Sequence, residues 1–145
     1  MSFSNIFDIA GSGMSAQSMR LSTTASNMAN AQTVAGSEEE TYRARHPIFS
    51  AVQKQFENHH FKLGDNIQPT AGVEVLGVVE SDAPLEARYE PNSPHANEAG
   101  YVYYPNVNVV EEMTNMIAAS RAFQMNVEIM NSAKQMVTRV LSLGQ

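Results

Sequence analysis

With 145 residues, a formal net charge of -6, a pI near 5.1 and no cysteine, the chain has the size of one domain with room for one modest core. The acidic balance argues against a nucleic-acid binder, which needs a basic face for phosphates, and against an anionic membrane surface as partner. Without cysteine there is no disulfide framework, thiolate zinc site or cysteine nucleophile, and the redox compartment stays open.

The opening MSFSNIFDIAGSG has no basic n-region and no unbroken apolar run, so it does not read as a cleaved secretory signal. No stretch approaches the roughly 18 apolar residues of a membrane span, and direct membrane insertion is not expected. Organisation is clearest from what each zone lacks. All six prolines (Pro47, Pro69, Pro84, Pro91, Pro94, Pro105) lie in the middle, and every methionine after Met1 lies before Ala31 or after Glu112. Proline breaks helices and methionine fills apolar helical faces, so the ends read as helices and the middle does not. The charges divide the same way. Residues 1–36 carry only Asp8 and Arg20, residues 113–145 only Glu128 against Arg121, Lys134 and Arg139, and the middle holds all the rest.

These contrasts divide the chain into an N-terminal assembly helix (1–36), a central β-rich region with its linker (37–105) and a C-terminal assembly helix (106–145). In the first zone Phe3, Phe7, Ala10, Met14, Gln17, Leu21, Thr24, Met28 and Ala31 step by four and three, the seam of a helix packed lengthwise on another. The rest of that helix is Ser, Thr, Asn, Gln and Gly rather than the Lys and Glu of a solvated surface, which suits contact with more protein. Gly11 and Gly13 each cost roughly 1 kcal/mol of helix stability relative to alanine. Residues 5–30 are therefore expected to be poorly ordered in a free monomer and to fold on assembly.

Gly36 to Glu40 reads as a charged linker. A strand near Thr41 to Phe49 is weakened by Pro47, and residues 50–68 carry no recognisable motif. Val73, Val75 and Val79, followed after the turn Ser81-Asp82-Ala83-Pro84 by Leu85, Ala87 and Tyr89, predict a β-hairpin. Glu90 to Gly100, with two prolines, reads as an exposed loop, and Tyr101 to Tyr104 as a short strand.

The last zone opens with Pro105 ending the extended chain. Asn108 is placed to cap a helix, with Glu111 three residues on in a capping-box arrangement, and Glu111 and Glu112 at the positive end of the helix dipole. Val109, Met113, Met116, Ser120, Phe123, Val127, Met130, Lys134, Val137 and Leu141 then keep the four-three rhythm. A second stripe runs through Ile129, Ala133, Met136, Val140 and Leu143, and two stripes imply at least two neighbours. Gly144 is a helix stop. The fold class expected is α+β, with long terminal helices pairing as an antiparallel coiled coil beside a small central β-rich region.

Signs of catalysis are sparse. Glu57, His59 and His60 cluster, but adjacent histidines point in different directions, and His46 and His95 share no spacing with them. There is no G-x-S-x-G elbow, no phosphate-cradling glycine loop and no H-E-x-x-H. No catalytic, cofactor-binding or metal site is assigned, and no cofactor is expected. A metal-dependent hydrolase using these histidines and the acidic middle is the weaker rival. A non-polymerising coiled-coil adaptor is the stronger one, but it would need a charged outer face on its helices.

The segment SGMSAQSMRLSTTASNMANAQT, Ser12 to Thr33, resembles the N-terminal signature of bacterial flagellar rod and hook axial proteins, above all at Ser26, Asn27, Ala29 and Asn30. Gln32 stands where that family more often has asparagine. GYVYYPNVNVVEEMTNMIAASRAFQMNV, Gly100 to Val127, resembles the C-terminal signature of the family's proximal-rod members, and the run from Ala71 to Tyr101 is similar to the same members. The resemblance implies a non-enzymatic subunit of the flagellar basal body, polymerising through its terminal helices into a torque-transmitting rod. It implies export through the flagellar type III apparatus without a cleaved signal. The implied partners are copies of itself, other rod subunits, and basal-body adaptor and MS-ring components. On this reading the assembly seam takes Phe7, Met14, Leu21, Met28, Met113, Met116, Phe123, Val127, Met130, Val137 and Leu141. Asn27, Asn30, Asn106 and Asn108 serve as polar caps or register-setting contacts.

Overall fold

A computed structural model describes residues 3–53 and 71–143. In chain order these form α1 (Phe3–Asn30), β1 (Arg45–Gln53), β2 (Ala71–Glu80), β3 (Glu86–Tyr89), β4 (Tyr101–Tyr104) and α2 (Val109–Leu143), which is the expected α+β class. The Glu57, His59 and His60 cluster and the Gly144 stop lie outside the described residues. No helix is long and apolar enough to cross a membrane among them.

α2 begins where its cap chemistry dictates. Asn108 Oδ1 accepts from the backbone N–H groups of Val110 and Glu111 at 3.1 and 3.4 Å, taking two of the donors a helix start leaves unpaired. Glu111 and Glu112 occupy the first turn, where the helix dipole favours negative charge. α1 has no acid in its first turn and no base in its last. Its stability therefore depends on what it packs against.

The strands pair differently from the sequence expectation. The predicted hairpin from Val73–Val79 to Leu85–Tyr89 does not form: β2 pairs antiparallel with β1, and β3 with β4. Length is the physical reason, since a ten-residue strand finds hydrogen-bonding partners along nine-residue β1 but not along four-residue β3. β1 itself lies four residues later than expected and contains Pro47, paired opposite Val78. Arg45 turns both its N–H and its C=O toward α1, so two residues on, Pro47 has the same outward parity, and its missing N–H costs no ladder bond. A bulge follows, with Ile48 opposite Gly77 and Phe49 opposite Val75. Leu76 is the extra residue.

β4 is held on both sides. It pairs with β3, and Tyr103 exchanges backbone hydrogen bonds of 2.9 and 3.2 Å with Ala35 in the linker after α1. Val102 between them is fully buried. The loop from β3 to β4 closes at Gly100, whose φ of +81° favours a residue without a side chain, and where a Cβ would lie 2.8 Å from the Tyr89 ring. Tyr104 donates its hydroxyl to Glu90 at 3.1 Å. That bond, helped by partial desolvation, raises the tyrosine's pKa above the ordinary range, so the neutral, donating phenol persists beyond the pH at which a free tyrosine ionises.

Asn106 ties the two β units to the start of α2. Its Oδ1 accepts from Ala44 N–H at 2.8 Å, and its Nδ2 donates to the carbonyls of Ala83 at 2.8 Å and Ser81 at 3.3 Å. Replacing Asn106 by alanine leaves one donor and two acceptors of the chain without this partner. The expected cost is about 2 kcal/mol, seen as a drop of roughly 6 °C in the thermal midpoint, with the helical signal of α2 retained below the transition.

Candidate assembly surfaces

α1 is the only helix or strand against which α2 packs among the described residues, and α1 also meets β1 and β2. Two contacts establish how the helices meet. Arg20 donates to Asn115 Oδ1 at 2.7 Å, late in α1 and early in α2. Earlier in α1 and further along α2, a Cβ on Gly13 would lie 2.9 Å from the Asn126 amide nitrogen. The side chains between them are small: Ala10, Ala16, Ala119 and Ala133 are all buried. Small residues let two helix backbones approach closely at these positions.

The face of α2 turned to α1 is thus legible from burial. Glu112, Met116, Ala119, Phe123, Asn126, Met130, Ala133 and Val137 are buried or half-buried and spaced by four and three, with Asn115, Ser120 and Ala122 half-buried beside them. Four of them were in the expected seam: Met116, Phe123, Met130 and Val137. The alternating members Met113, Val127 and Leu141 are exposed instead. The seam is rotated by one position because two adjoining stripes share those four residues, and the flank that faces α1 is the one with alanines at 119 and 133. Ala133, expected on a second stripe, is fully buried and belongs to this face.

The remaining expected residues are spread over several settings. Phe7, Met14, Leu21 and Met28 are half-buried along α1. Asn27 is fully buried and bonded to β1. Asn30 turns its side-chain N–H back to Ser26 O at 2.9 Å, while its carbonyl accepts from the N–H and hydroxyl of Thr33. Asn106 clamps the β units, and Asn108 caps α2. Sequence reasoning missed Gly13, Arg20, Asn115 and Asn126 at the helix contact, and Tyr42 and Arg45 beside Asn27. Gly13 was noted only for its cost to helix stability. That a glycine and an alanine lie three residues apart at Gly13 and Ala16 was the available signal.

Outside these contacts α2 carries an uncovered apolar surface. Val110, Met113, Ile117, Met125, Ile129, Met136, Val140 and Leu141 are exposed, Val110 by 73% and Leu141 by 68%. Apolar side chains in such a run along one helix mark a surface made for protein contact. No group of three or more histidine, aspartate or glutamate side chains that could hold a metal is present among the described residues.

Comparison with known proteins identifies the kind of contact. Residues 7–35 match the family described as flagella basal body rod protein, and residues 98–143 the family described as flagellar basal body rod FlgEFG protein C-terminal. Over all 145 residues the chain is 45% identical to the full length of the flagellar basal-body rod protein FlgC of Salmonella typhimurium. It is likewise 45% identical to the Escherichia coli O6:H1 FlgC, with both chains fully covered, and 34% identical to the Borreliella burgdorferi FlgC, over 99% of this chain and 97% of that one. The chain belongs to the FlgC family of flagellar basal-body rod proteins. It is a structural subunit of the bacterial flagellar basal-body rod, and the family is not one of enzymes.

For a FlgC-family subunit the helix contact has a direct test in its glycines. A Cβ at Gly11 meets nothing within 4 Å, whereas one at Gly13 meets the Asn126 amide. Gly11→Ala should raise the helical circular dichroism of the isolated chain and add about 1 kcal/mol to α1. Gly13→Leu should lower the helical signal, because its side chain has to force α1 away from Asn126.

Proposed function

We propose that α1 and α2 form an antiparallel coiled-coil pair, and that the uncovered stripe of α2 is the surface through which copies of this chain and other subunits build the proximal rod. The observation that carries this reading is the split burial of α2. One face, with alanines at 119 and 133 among larger apolar side chains, is buried or half-buried against α1, while apolar residues on both of its flanks stay exposed along the helix.

A helical tube needs contacts that join one patch to a different patch on the next subunit, so that the assembly continues without closing. A helix with one face on its own partner and another face free supplies half of such a contact. Many lengthwise helix contacts in parallel resist twisting together, which suits a shaft that transmits torque. The same reading assigns Phe7, Met14, Leu21, Met28, Met113, Met116, Phe123, Val127, Met130, Val137 and Leu141 to the seam and its flanks. The partners proposed are other rod subunits, basal-body adaptor and MS-ring components, and the type III export apparatus that delivers the subunit.

Two substitutions separate folding from assembly. Phe123→Asp buries a charge between α1 and α2, and should abolish motility at the assembly step while the β units remain folded. Ile129→Asp sits on the exposed stripe, and should leave the melting curve of the isolated chain within about 0.5 kcal/mol of the parent yet block rod formation in complemented cells. Normal rods with Ile129→Asp would take this exposed part of α2 out of the subunit contact.

Order in α1 is the second test. The first turn of α1 lacks an acidic partner for the dipole, and Gly11 and Gly13 follow. Within residues 5–30, expected to order on assembly, the stretch 5–20 should therefore exchange amide hydrogens rapidly in dilute monomer and become protected in assembled basal bodies, while Asn27 is held by β1. Equal protection in both states would remove folding on assembly from the mechanism.

A further inference from the structure

The Ser26 to Asn30 signature is the part of α1 whose polar groups are used most completely within the chain. Asn27 is 0% exposed. Its Nδ2 donates to Arg45 O at 2.9 Å, and its Oδ1 accepts both from Arg45 N–H at 2.9 Å and from the Tyr42 hydroxyl at 2.8 Å. Both acceptor positions of the carboxamide oxygen are filled. A neighbouring subunit therefore has no free acceptor to meet there, and no open path to reach it.

The pattern is that of a strand. In an antiparallel pair, one residue exchanges an N–H and a C=O with the residue opposite, and the carboxamide of Asn27 does the same for Arg45 from the side of a helix. The outer edge of β1 needs such a partner, because Arg45 is followed at the same parity by Pro47, which has no N–H to offer. Ser12 covers the other edge at the other end of the ribbon. Its hydroxyl donates to Ile9 O at 2.9 Å and accepts from Val73 N–H at 3.2 Å. The β1–β2 ribbon thus lies along α1, held at one edge near Asn27 and at the other edge near Ser12.

Tyr42 completes the contact at Asn27. Because its proton goes to Asn27 Oδ1, the 3.2 Å contact with Ser26 makes the serine hydroxyl the donor to the phenol oxygen. The Arg45 guanidinium lies 5.5 Å from the Tyr42 ring centre and pairs with Glu80 of β2 at 2.9 Å. One chain of contacts therefore runs from Ser26 and Asn27 through Tyr42 and Arg45 into both strands. Asparagine meets all the demands: aspartate has no donor for Arg45 O, serine puts donor and acceptor on one oxygen and lacks the two-point geometry that faces the N–H and C=O of one residue, and glutamine adds a rotatable bond.

We propose that Asn27 is a positioning residue, the joint that holds the root of the β1–β2 ribbon at one angle on α1. On this reading the Ser26 to Asn30 signature carries the β layer on the helix instead of contacting a neighbouring subunit. Force applied to the ribbon passes to α1 through this joint.

Amide exchange of the purified full-length chain, resolved at Arg45, tests it with Asn27→Leu, Asn27→Asp and Tyr42→Phe. Arg45 N–H is protected in the dilute parent chain. Asn27→Leu removes every bond and speeds its exchange about tenfold, with α2 residues 115–135 unchanged. Asn27→Asp keeps the acceptor and gives an intermediate rate, and Tyr42→Phe gives a smaller rise, about threefold. An unprotected Arg45 in the dilute parent chain would overturn the proposal. So would parent-like exchange in Asn27→Leu together with lost rod assembly, since that combination places Asn27 at a subunit contact. Equal rates for leucine and aspartate reduce Asn27 to a space-filling role and also overturn it. Should Asn27→Leu unfold α2 as well, Tyr42→Phe decides: a rise confined to Arg45 and its neighbours upholds the joint, and no rise refutes it. These readouts come from the free chain, so they stand apart from the assembly reading of the α2 stripe.

Discussion

α1 has to satisfy a helix on one side and a β ribbon on another, and the small, uncharged polar side chains it uses to do so constrain the rest of the structure. Ala10, Gly13 and Ala16 allow α2 to come close, while Ser12 and Asn27 meet backbone groups of the ribbon. Longer charged side chains would keep both partners at a distance and would hold water between them. The near absence of charge in α1, with only Asp8 and Arg20, follows from this double duty. Arg20 itself is used across the helix contact, on Asn115.

The same composition makes α1 a weak helix by itself. It has Gly11 and Gly13 within it, no acid in its first turn and no base in its last, so its order comes from its neighbours. α2 is built in the opposite way, with an asparagine cap, acids in its first turn and 35 residues of mostly good helix formers. The subunit thus has one helix supported by its own cap and first turn and one that depends on what packs against it.

The β units explain why the middle of the chain was harder to read. Pro47 made β1 look weak, yet its lost donor points away from the ladder, and the parity that makes this harmless shows at Arg45, whose outward backbone groups meet Asn27 eighteen residues before it. The hairpin expected after Glu80 depended on adjacency in sequence, whereas strand length decided the pairing. Asn106 then fixes the crossing point, holding Ala44, Ser81 and Ala83 together from a distance no local pattern reveals. Tyr101 to Tyr104 was legible because β-prone residues in a short run behave alike in most surroundings.

What the sequence determined by itself was the pair of terminal helices, the cap at Asn108, the short strand before it and the membership in a rod family, because each rests on periodicity, local hydrogen-bond chemistry or a contiguous motif. Tertiary structure alone decided which flank of α2 faces α1, which strands pair, and whether each asparagine looks inward or outward. The reason is geometric. Adjacent heptad stripes share half their positions, so the pattern of Met116, Phe123, Met130 and Val137 fits either rotation, and the burial of Ala119 and Ala133 with the approach of Gly13 to Asn126 selects one. A carboxamide likewise suits a cap, a clamp or a subunit contact equally well, until the backbone opposite it is known.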